Sequence, residues 1–264
     1  MKIVVCVKYV PDAQGDRRFA DDLTTDRVGV DGLLSELDEY AVEAALRLAA
    51  DDADATVTVV TMGPARAADA IRKALQMGAD AGVHVVDDAL HGSDAPATSR
   101  VLAEAIKTLE FDLVLTGMAS TDGTLGVVPA MLAERLGVPQ VTLAEWLTVE
   151  AGPDGGQIVR VERDGDTQAE VIEASLPAVV GVTDHANEPR YPSFKGIMAA
   201  KKKPVTTLSL SDLGIDPSEV GLSAAWCAVD TVTARPPRAH GQVVTDEGDG
   251  GAKLVEFLAA AKLV

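Results

Sequence analysis

The chain has 264 residues, enough for one large domain with an appendage and short of two complete large domains. Its 41 acidic and 23 basic side chains give a formal net charge of −18, which argues against broad binding to nucleic acid or to an anionic membrane surface. The two cysteines, Cys6 and Cys227, have no CxxC spacing, and His84, His91, His185 and His240 are scattered. Neither a disulfide framework nor a structural metal site is therefore expected, and reduced cytoplasmic thiols are.

In chain order, the apolar run Ile3 to Val7 lies between Lys2 and Lys8. It is too short for a signal sequence or a membrane span and reads as a first strand. Short apolar segments at 2–9, 55–62, 81–86 and 111–116 alternate with helical patterns at about 37–51, 64–77 and 97–110. This alternation predicts an α/β fold, a mostly parallel sheet with flanking helices. In the second helical pattern Ala67, Ala70, Ile71, Ala74 and Leu75 recur at core-facing intervals, leaving Arg66, Asp69 and Arg72 for solvent.

A further helix is expected over 127–136, starting close to Gly126 because Pro129 is tolerated only in a first turn. Gly137-Val138-Pro139 ends it. Beyond it, 158–163 and 169–176 read as an antiparallel hairpin turning at Asp164-Gly165-Asp166. Val159, Val161 and Arg163 share one face of the first strand; Ile172, Ala174 and Leu176 share one face of the second. Ala178 to Val182 forms another apolar strand, and a terminal helix is expected near 251–262. The chain thus divides into an α/β domain at 1–205 and a C-terminal arm at 206–264. The arm either wraps a partner or returns as a cap to its own domain.

One segment is suited to an anion. Residues 111–137 run from an apolar strand through small and hydroxyl residues into a helix. Gly117, Gly123 and Gly126 permit close backbone approach, and the amides of the helix start attract phosphate. Thr124 is a candidate helix cap, Ser120 and Thr121 are candidate donors, and Asp122, which repels a bare phosphate, suits a ribose hydroxyl or an Asx turn. A purely structural turn is the competing reading. Neither GxxxxGK[ST] nor GxGxxG is present, which demotes ATP hydrolysis and a standard NAD fold. Other strand ends, at 6–8, 35–38 and 61–64, approach the same place in a parallel sheet and suit an adenylate. Cys6 and Met62 read there as packing residues rather than redox groups.

Residues 187–203, NEPRYPSFKGIMAAKKK, combine two prolines, an aromatic pair and a lysine run. Arg190 is free to pair with a phosphate or carboxylate, Glu188 among them. Phe194, Ile197 and Met198 either project toward another protein or pack on their own core. Lys201-Lys202-Lys203 suits an acidic surface or an ordinary helix end. No Ser-His-Asp arrangement is recognisable, and independent turnover has little support.

Six segments together resemble the beta subunit of the electron transfer flavoprotein family: MKIVVCVKYVPD, LDEYAVEAALRL, TMGPARAADAIRKALQMGAD, TGMASTDGTLGVVPAMLAERLG, VERDGDTQAEVIEASLPAVVGVTD and NEPRYPSFKGIMAAKKKP. The resemblance spans essentially the whole chain. It implies a heterodimer with an alpha subunit that binds the redox FAD, while the beta subunit holds a structural AMP. The AMP shell then draws on Cys6, Ser35, Glu36, Leu37, Asp38, Met62, Gly117, Met118, Ala119, Ser120, Thr121, Asp122, Gly123, Thr124, Leu125, Gly126, Val127 and Val128. A docking loop for acyl-CoA or related dehydrogenases follows at Arg190, Tyr191, Pro192, Ser193, Phe194, Lys195, Gly196, Ile197, Met198 and Ala199. Here Phe194 stands where Leu is more familiar, and Ala199 where a basic residue is frequent, which puts partner preference in question.

By the same resemblance, electrons pass onward to a membrane-associated quinone oxidoreductase, as in fatty acid oxidation, without this chain entering the membrane. Two alternatives stay open: an adenylate-binding structural or regulatory protein without a redox role, and a bifurcating relative with a second FAD in place of AMP.

Overall fold

The computed structural model describes residues 1–15, 17–50, 52–238, 241 and 243–264; His240 lies outside the described residues. The strands are β1 (Lys2–Cys6), β2 (Tyr9–Pro11), β3 (Gly32–Leu34), β4 (Thr56–Met62), β5 (Ala81–Val85), β6 (Leu113–Gly117), β7 (Gln140–Ala144), β8 (Trp146–Ala151), β9 (Gln157–Asp164), β10 (Ala169–Ser175), β11 (Ala178–Val182) and β12 (Val205–Leu208). The helices are α1 (Glu36–Ala50), α2 (Ala68–Met77), α3 (Ala95–Lys107), α4 (Val128–Leu136), α5 (Phe194–Ala200) and α6 (Gly250–Ala260).

Seven strands form one parallel sheet in the order β12-β5-β4-β1-β6-β11-β7. Its central strands are buried on both faces, which is why their sequences are dominated by apolar residues. In β1, Ile3 and Val5 point into one core with α1 and α2. Val4 and Cys6 point into the other with α3 and α4. The expected α/β architecture is therefore the observed one.

The hairpin at β9 and β10 has the expected register, Val161 opposite Ile172 and Val159 opposite Ala174. Gly165 donates to the Gln168 carbonyl to close the turn. It carries a third strand, β8, paired with β9. Val159 and Val161 are buried in the α1 and α2 core, which fastens this small sheet to the large one.

Two compact units are present, Met1–Asp230 and Thr231–Val264. The first extends past the expected division at 205/206 for two reasons. Strand β12 pairs with β5 at the edge of the main sheet. Beyond it, Leu210, Ile215 and Val220 are buried in the α3 and α4 core. The backbone N–H groups of Gly221 and Trp226 donate to Ser93 Oγ (2.9 Å) and Asp94 Oδ2 (2.8 Å). The second unit contains α6, whose Leu254, Val255 and Phe257 are exposed. Among the described residues no helix is long and apolar enough to cross a membrane.

Candidate functional site

The chain enters the sheet at β1, adds β4 and β5 on one side, then crosses to β6 on the other. Strand order reverses between β1 and β6. In open parallel sheets ligands bind beyond the carboxyl ends of the strands at such a switch point. A cavity of about 800 Å³ opens there. Its walls come from Cys6 to Tyr9 after β1, Met62 to Ala65 after β4, Val86 to Asp88 after β5 and Thr116 to Ser120 at β6.

Of the expected shell, Cys6, Asp38, Met62, Gly117, Met118, Ala119, Ser120, Gly123, Leu125, Gly126 and Val128 line this cavity. Ser35, Glu36, Leu37, Thr121, Asp122, Thr124 and Val127 are not among its lining residues. Ser35 acts at the start of α1, where its amide donates to the Lys8 carbonyl (2.8 Å) and its carbonyl accepts from Asp38 (2.9 Å).

Helix α4 starts at Val128 with Pro129 in its first turn, as expected. Its N-cap is Val127, with no side-chain cap, so Thr124 does not cap it. The chain passes through left-handed backbone at Thr124 (φ 51°) and Gly126 (φ 71°), so the helix starts beyond the reach of a Thr124 cap. The first amides of a helix have no intrahelical acceptor, and here no side chain supplies one. Gly126, Val128 and Pro129 line the cavity, so this uncapped end faces it. Thr116 also lines the cavity, but its Oγ1 is fully buried, toward Gly181 of β11, and has no hydrogen-bond partner. The uncapped helix start is the feature here that suits a polar ligand.

Three charges meet at the loop between β6 and α4. Lys8 Nζ donates to Asp122 Oδ1 (2.7 Å) and to Ser120 Oγ (3.2 Å), and Arg27 donates to Asp122 Oδ2. The Asp122 side chain is only 2 % exposed. Burial alone would raise its pKa, but the Lys8 and Arg27 charges outweigh it and hold the carboxyl far below its ordinary value. Asp38 also acts on Lys8, and Asp26, Asp87, Asp88 and Asp94 line the same cavity, so Lys8 and Arg27 are cations set among carboxylates.

Asp38, at the start of α1, accepts from the Lys8 amide (2.8 Å) and lies against Gly117, where a Cβ would come within 2.7 Å of Asp38 Oδ1 and of the Leu37 carbonyl. Burial pushes its pKa up to about 7. The Cys6 thiol is pushed up to about 12 by burial and then by Asp38, which makes it a packing residue and no nucleophile.

Lys8 and Gly63 were within reach of strand-end reasoning; the contribution of 24–28 was not. Thr24, Thr25, Asp26, Arg27 and Val28 line the cavity from the long excursion between β2 and β3. Arg66 donates to the Val28 carbonyl (3.1 Å), and Asp22 accepts from His91 Nε2 (2.6 Å), fixing that excursion in place. Its signal in the sequence is the charged Asp26-Arg27 pair inside an otherwise patternless stretch.

The second expected region is exposed and ordered. Tyr191 and Phe194 are 93 % and 80 % exposed, with Met198 also exposed. Of the two readings open for Phe194, the outward one holds. Ser193 caps α5 by accepting from the Gly196 amide (3.1 Å). Arg190 turns inward to Glu43 instead of Glu188. In the lysine run, Lys201 and Lys202 are exposed while Lys203 reaches backbone carbonyls of its own chain.

The model of the family described as the electron transfer flavoprotein domain matches residues 22–213. The chain is 48 % identical over 268 aligned residues to the electron transfer flavoprotein subunit beta of Mycobacterium tuberculosis, covering 99 % of each chain. The chain belongs to the electron transfer flavoprotein beta-subunit family. It is also 35 % identical to the subunit of that name from Megasphaera elsdenii, over the full length of both. With subunit CarD of the caffeyl-CoA reductase-Etf complex of Acetobacterium woodii it shares 37 % identity, over 93 % of this chain and 92 % of that one. The electron transfer flavoprotein match begins at Asp22, inside the excursion that supplies Arg27, and ends at Leu213, beyond β12.

Proposed function

We propose that this chain is the beta subunit of a heterodimeric electron transfer flavoprotein that binds AMP in the switch-point cavity and seats an alpha subunit carrying the redox FAD. The observation that carries the adenylate is the uncapped start of α4 facing a cavity at the sheet's switch point, with Lys8 and Arg27 on its wall. Gly117 to Ser120, Gly123, Leu125, Gly126 and Val128 would hold the phosphate side, with Cys6, Asp38 and Met62 around the nucleoside. AMP supplies no redox chemistry in this reading; it ties strand ends together.

The alpha-bound flavin takes electrons from acyl-CoA or related dehydrogenases and passes them to a membrane-associated quinone oxidoreductase. This subunit has no turnover of its own in this reading. It contributes the docking loop at 190–199, and its C-terminal arm packs on the alpha subunit. The exposed Leu254, Val255 and Phe257 of α6 support that role, because an apolar helix face needs cover. The carrier works in the cytoplasm and touches the membrane only through its quinone-linked acceptor.

The cavity volume favours a second reading. About 800 Å³ lies high in the range of roughly 300–1,000 Å³ for small-molecule sites, leaving room for a second FAD in place of AMP, as in a bifurcating carrier. Native mass spectrometry of the pair co-expressed with its alpha subunit, followed by cofactor analysis after denaturation, separates the readings. One FAD and one AMP per heterodimer is the expected result, and two FAD establish the second reading. A chain that takes up neither nucleotide nor alpha subunit ends both.

A further inference from the structure

The exposed tip of the 190–199 loop stands on a base held at both ends. On the near side, Asn187 Nδ2 donates to the Tyr40 carbonyl (2.9 Å), and Arg47 donates to the Glu188 carbonyl (3.3 Å). Arg190 then makes three bonds to one carboxylate: its backbone N–H (3.2 Å) and Nε (2.7 Å) to Glu43 Oε2, and its terminal nitrogen (3.1 Å) to Glu43 Oε1. On the far side, Lys203 Nζ is bonded to carbonyls at the end of α2. Between them, Gly196 lies so close to α2 that a Cβ there would sit 2.5 Å from the Gln76 carbonyl.

Glu43 is an unusual residue for its position. It lies mid-way along α1 with its side chain only 4 % exposed, amid Ala41, Val42, Ala44 and Ala45, which pack in the core. A carboxylate there is costly unless paired, and its partners are Arg190 and, one helical turn on, Arg47 Nε (2.8 Å). Burial would raise its pKa, but the hydrogen bonds from Arg190 and Arg47 outweigh that and hold it low and ionised. The two-pronged Arg190 contact fixes direction as well as distance, which a lysine or a single bond would not.

We propose that Glu43 is a positioning residue for partner docking: by gripping Arg190 it sets the place and angle at which Tyr191, Phe194 and Met198 are offered to a dehydrogenase. Arg190, whose side chain stays 45 % exposed, then serves the loop as its anchor on α1 through the Glu43 contact. This rests on the docking role given to 190–199 above. It adds that the loop is preorganised from the core side, so that binding does not have to supply the cost of ordering it.

The test uses the complete heterodimer with its FAD and a medium-chain acyl-CoA dehydrogenase with octanoyl-CoA, following flavin reduction. Glu43→Ala and Arg190→Met are expected to raise KM for the carrier about tenfold with kcat changed less than twofold, since misplacement weakens docking ahead of electron transfer. Glu43→Gln, which keeps hydrogen bonding without the charge, is expected to fall between them and wild type. Hydrogen exchange at 190–199 should quicken in the same order, with FAD content unchanged. Arg190→Met leaves Glu43 paired with Arg47, so it reads the loop without emptying a buried site. Phe194→Ala reports on docking itself. If it raises KM while Glu43→Ala and Arg190→Met leave both KM and exchange at wild-type values, the positioning role is overturned and the docking role stands. If Phe194→Ala leaves KM unchanged, the docking role falls and the proposal falls with it.

Discussion

Arg27 and Asp122 are 95 positions apart in the chain and meet at the loop between β6 and α4. Their contact joins the excursion between β2 and β3 to the loop after β6, two segments with no strand pairing between them. Lys8, just beyond β1, completes the cluster from a third direction. One buried carboxylate therefore ties the two halves of the sheet's switch point to the segment that closes the cavity from above.

Removing the two ends of that contact should have unequal effects. Asp122→Asn leaves Lys8 and Arg27 facing each other without their anion and is expected to cost about 3 kcal/mol. Arg27→Met leaves the Lys8 and Asp122 pair intact and is expected to cost about 2 kcal/mol, with less nucleotide surviving purification. Urea unfolding gives the stabilities, and chromatography of the denatured protein gives the nucleotide. Equal midpoints for wild type and Asp122→Asn would show that the cluster contributes nothing.

Asp38 predicts a pH dependence of definite sign. Its pKa rises from an ordinary 3.8 to about 7 on folding. Between those values the folded chain holds a proton that the unfolded chain has released, so this group's contribution falls as pH rises, by up to about 1.4 kcal/mol per pH unit, and levels off above 7. Asp38→Asn has no such proton. Comparing unfolding of the two proteins at pH 5, 6 and 7 should show the mutant curve lying flatter by that slope, and parallel curves would rule the shift out.

Gly117 is the clearest steric prediction. It ends β6 on the cavity wall, and an added Cβ meets the Asp38 carboxyl and the Leu37 carbonyl at 2.7 Å each. One of these is backbone at the start of α1, so relief requires moving a helix. Gly117→Ala is expected to cost about 1–3 kcal/mol and to empty the site of nucleotide. Gly155→Ala, with open space around it but left-handed backbone, serves as a strain-only comparison. A Gly117→Ala protein that retains nucleotide and full stability would refute the packing argument.

The parts that sequence reasoning reached were those with a local signature. β1 and β11 are apolar runs, and β4, β5 and β6 are largely apolar ones interrupted by Thr58, Thr61, His84 and Thr116, because both faces are covered. β12, with Val205, Thr206 and Thr207 exposed, lies at the sheet edge and has no such run. β2 and β3 are three residues each and pair across twenty intervening positions, beyond what periodicity registers. At the site, glycine and hydroxyl content pointed to the right loop. The same hydroxyl richness made Thr124 look like a cap, where the helix in fact starts beyond its reach. Arg27 with Asp122 and Arg190 with Glu43 are long-range pairs whose partners no local pattern names.

Lys203 shows how one residue of a charged run differs from its neighbours. Its ammonium donates to the carbonyls of Leu75 (3.1 Å), Gly78 (3.0 Å) and Ala79 (2.6 Å) at the end of α2. Carbonyls at a helix C-terminus have no intrahelical donor, and a cation placed there also opposes the negative end of the helix dipole. Burial lowers the Lys203 pKa, the cost of holding the charge there. Lys203→Met keeps the aliphatic stem and removes all three bonds, with an expected loss of about 2 kcal/mol. Lys201→Met and Lys202→Met, both at exposed positions, are expected to stay within about 0.5 kcal/mol of wild type. Urea midpoints at a common slope decide it. Three equal losses would mean that the run acts only as diffuse positive charge, and that α2 draws no specific support from the segment following the docking loop.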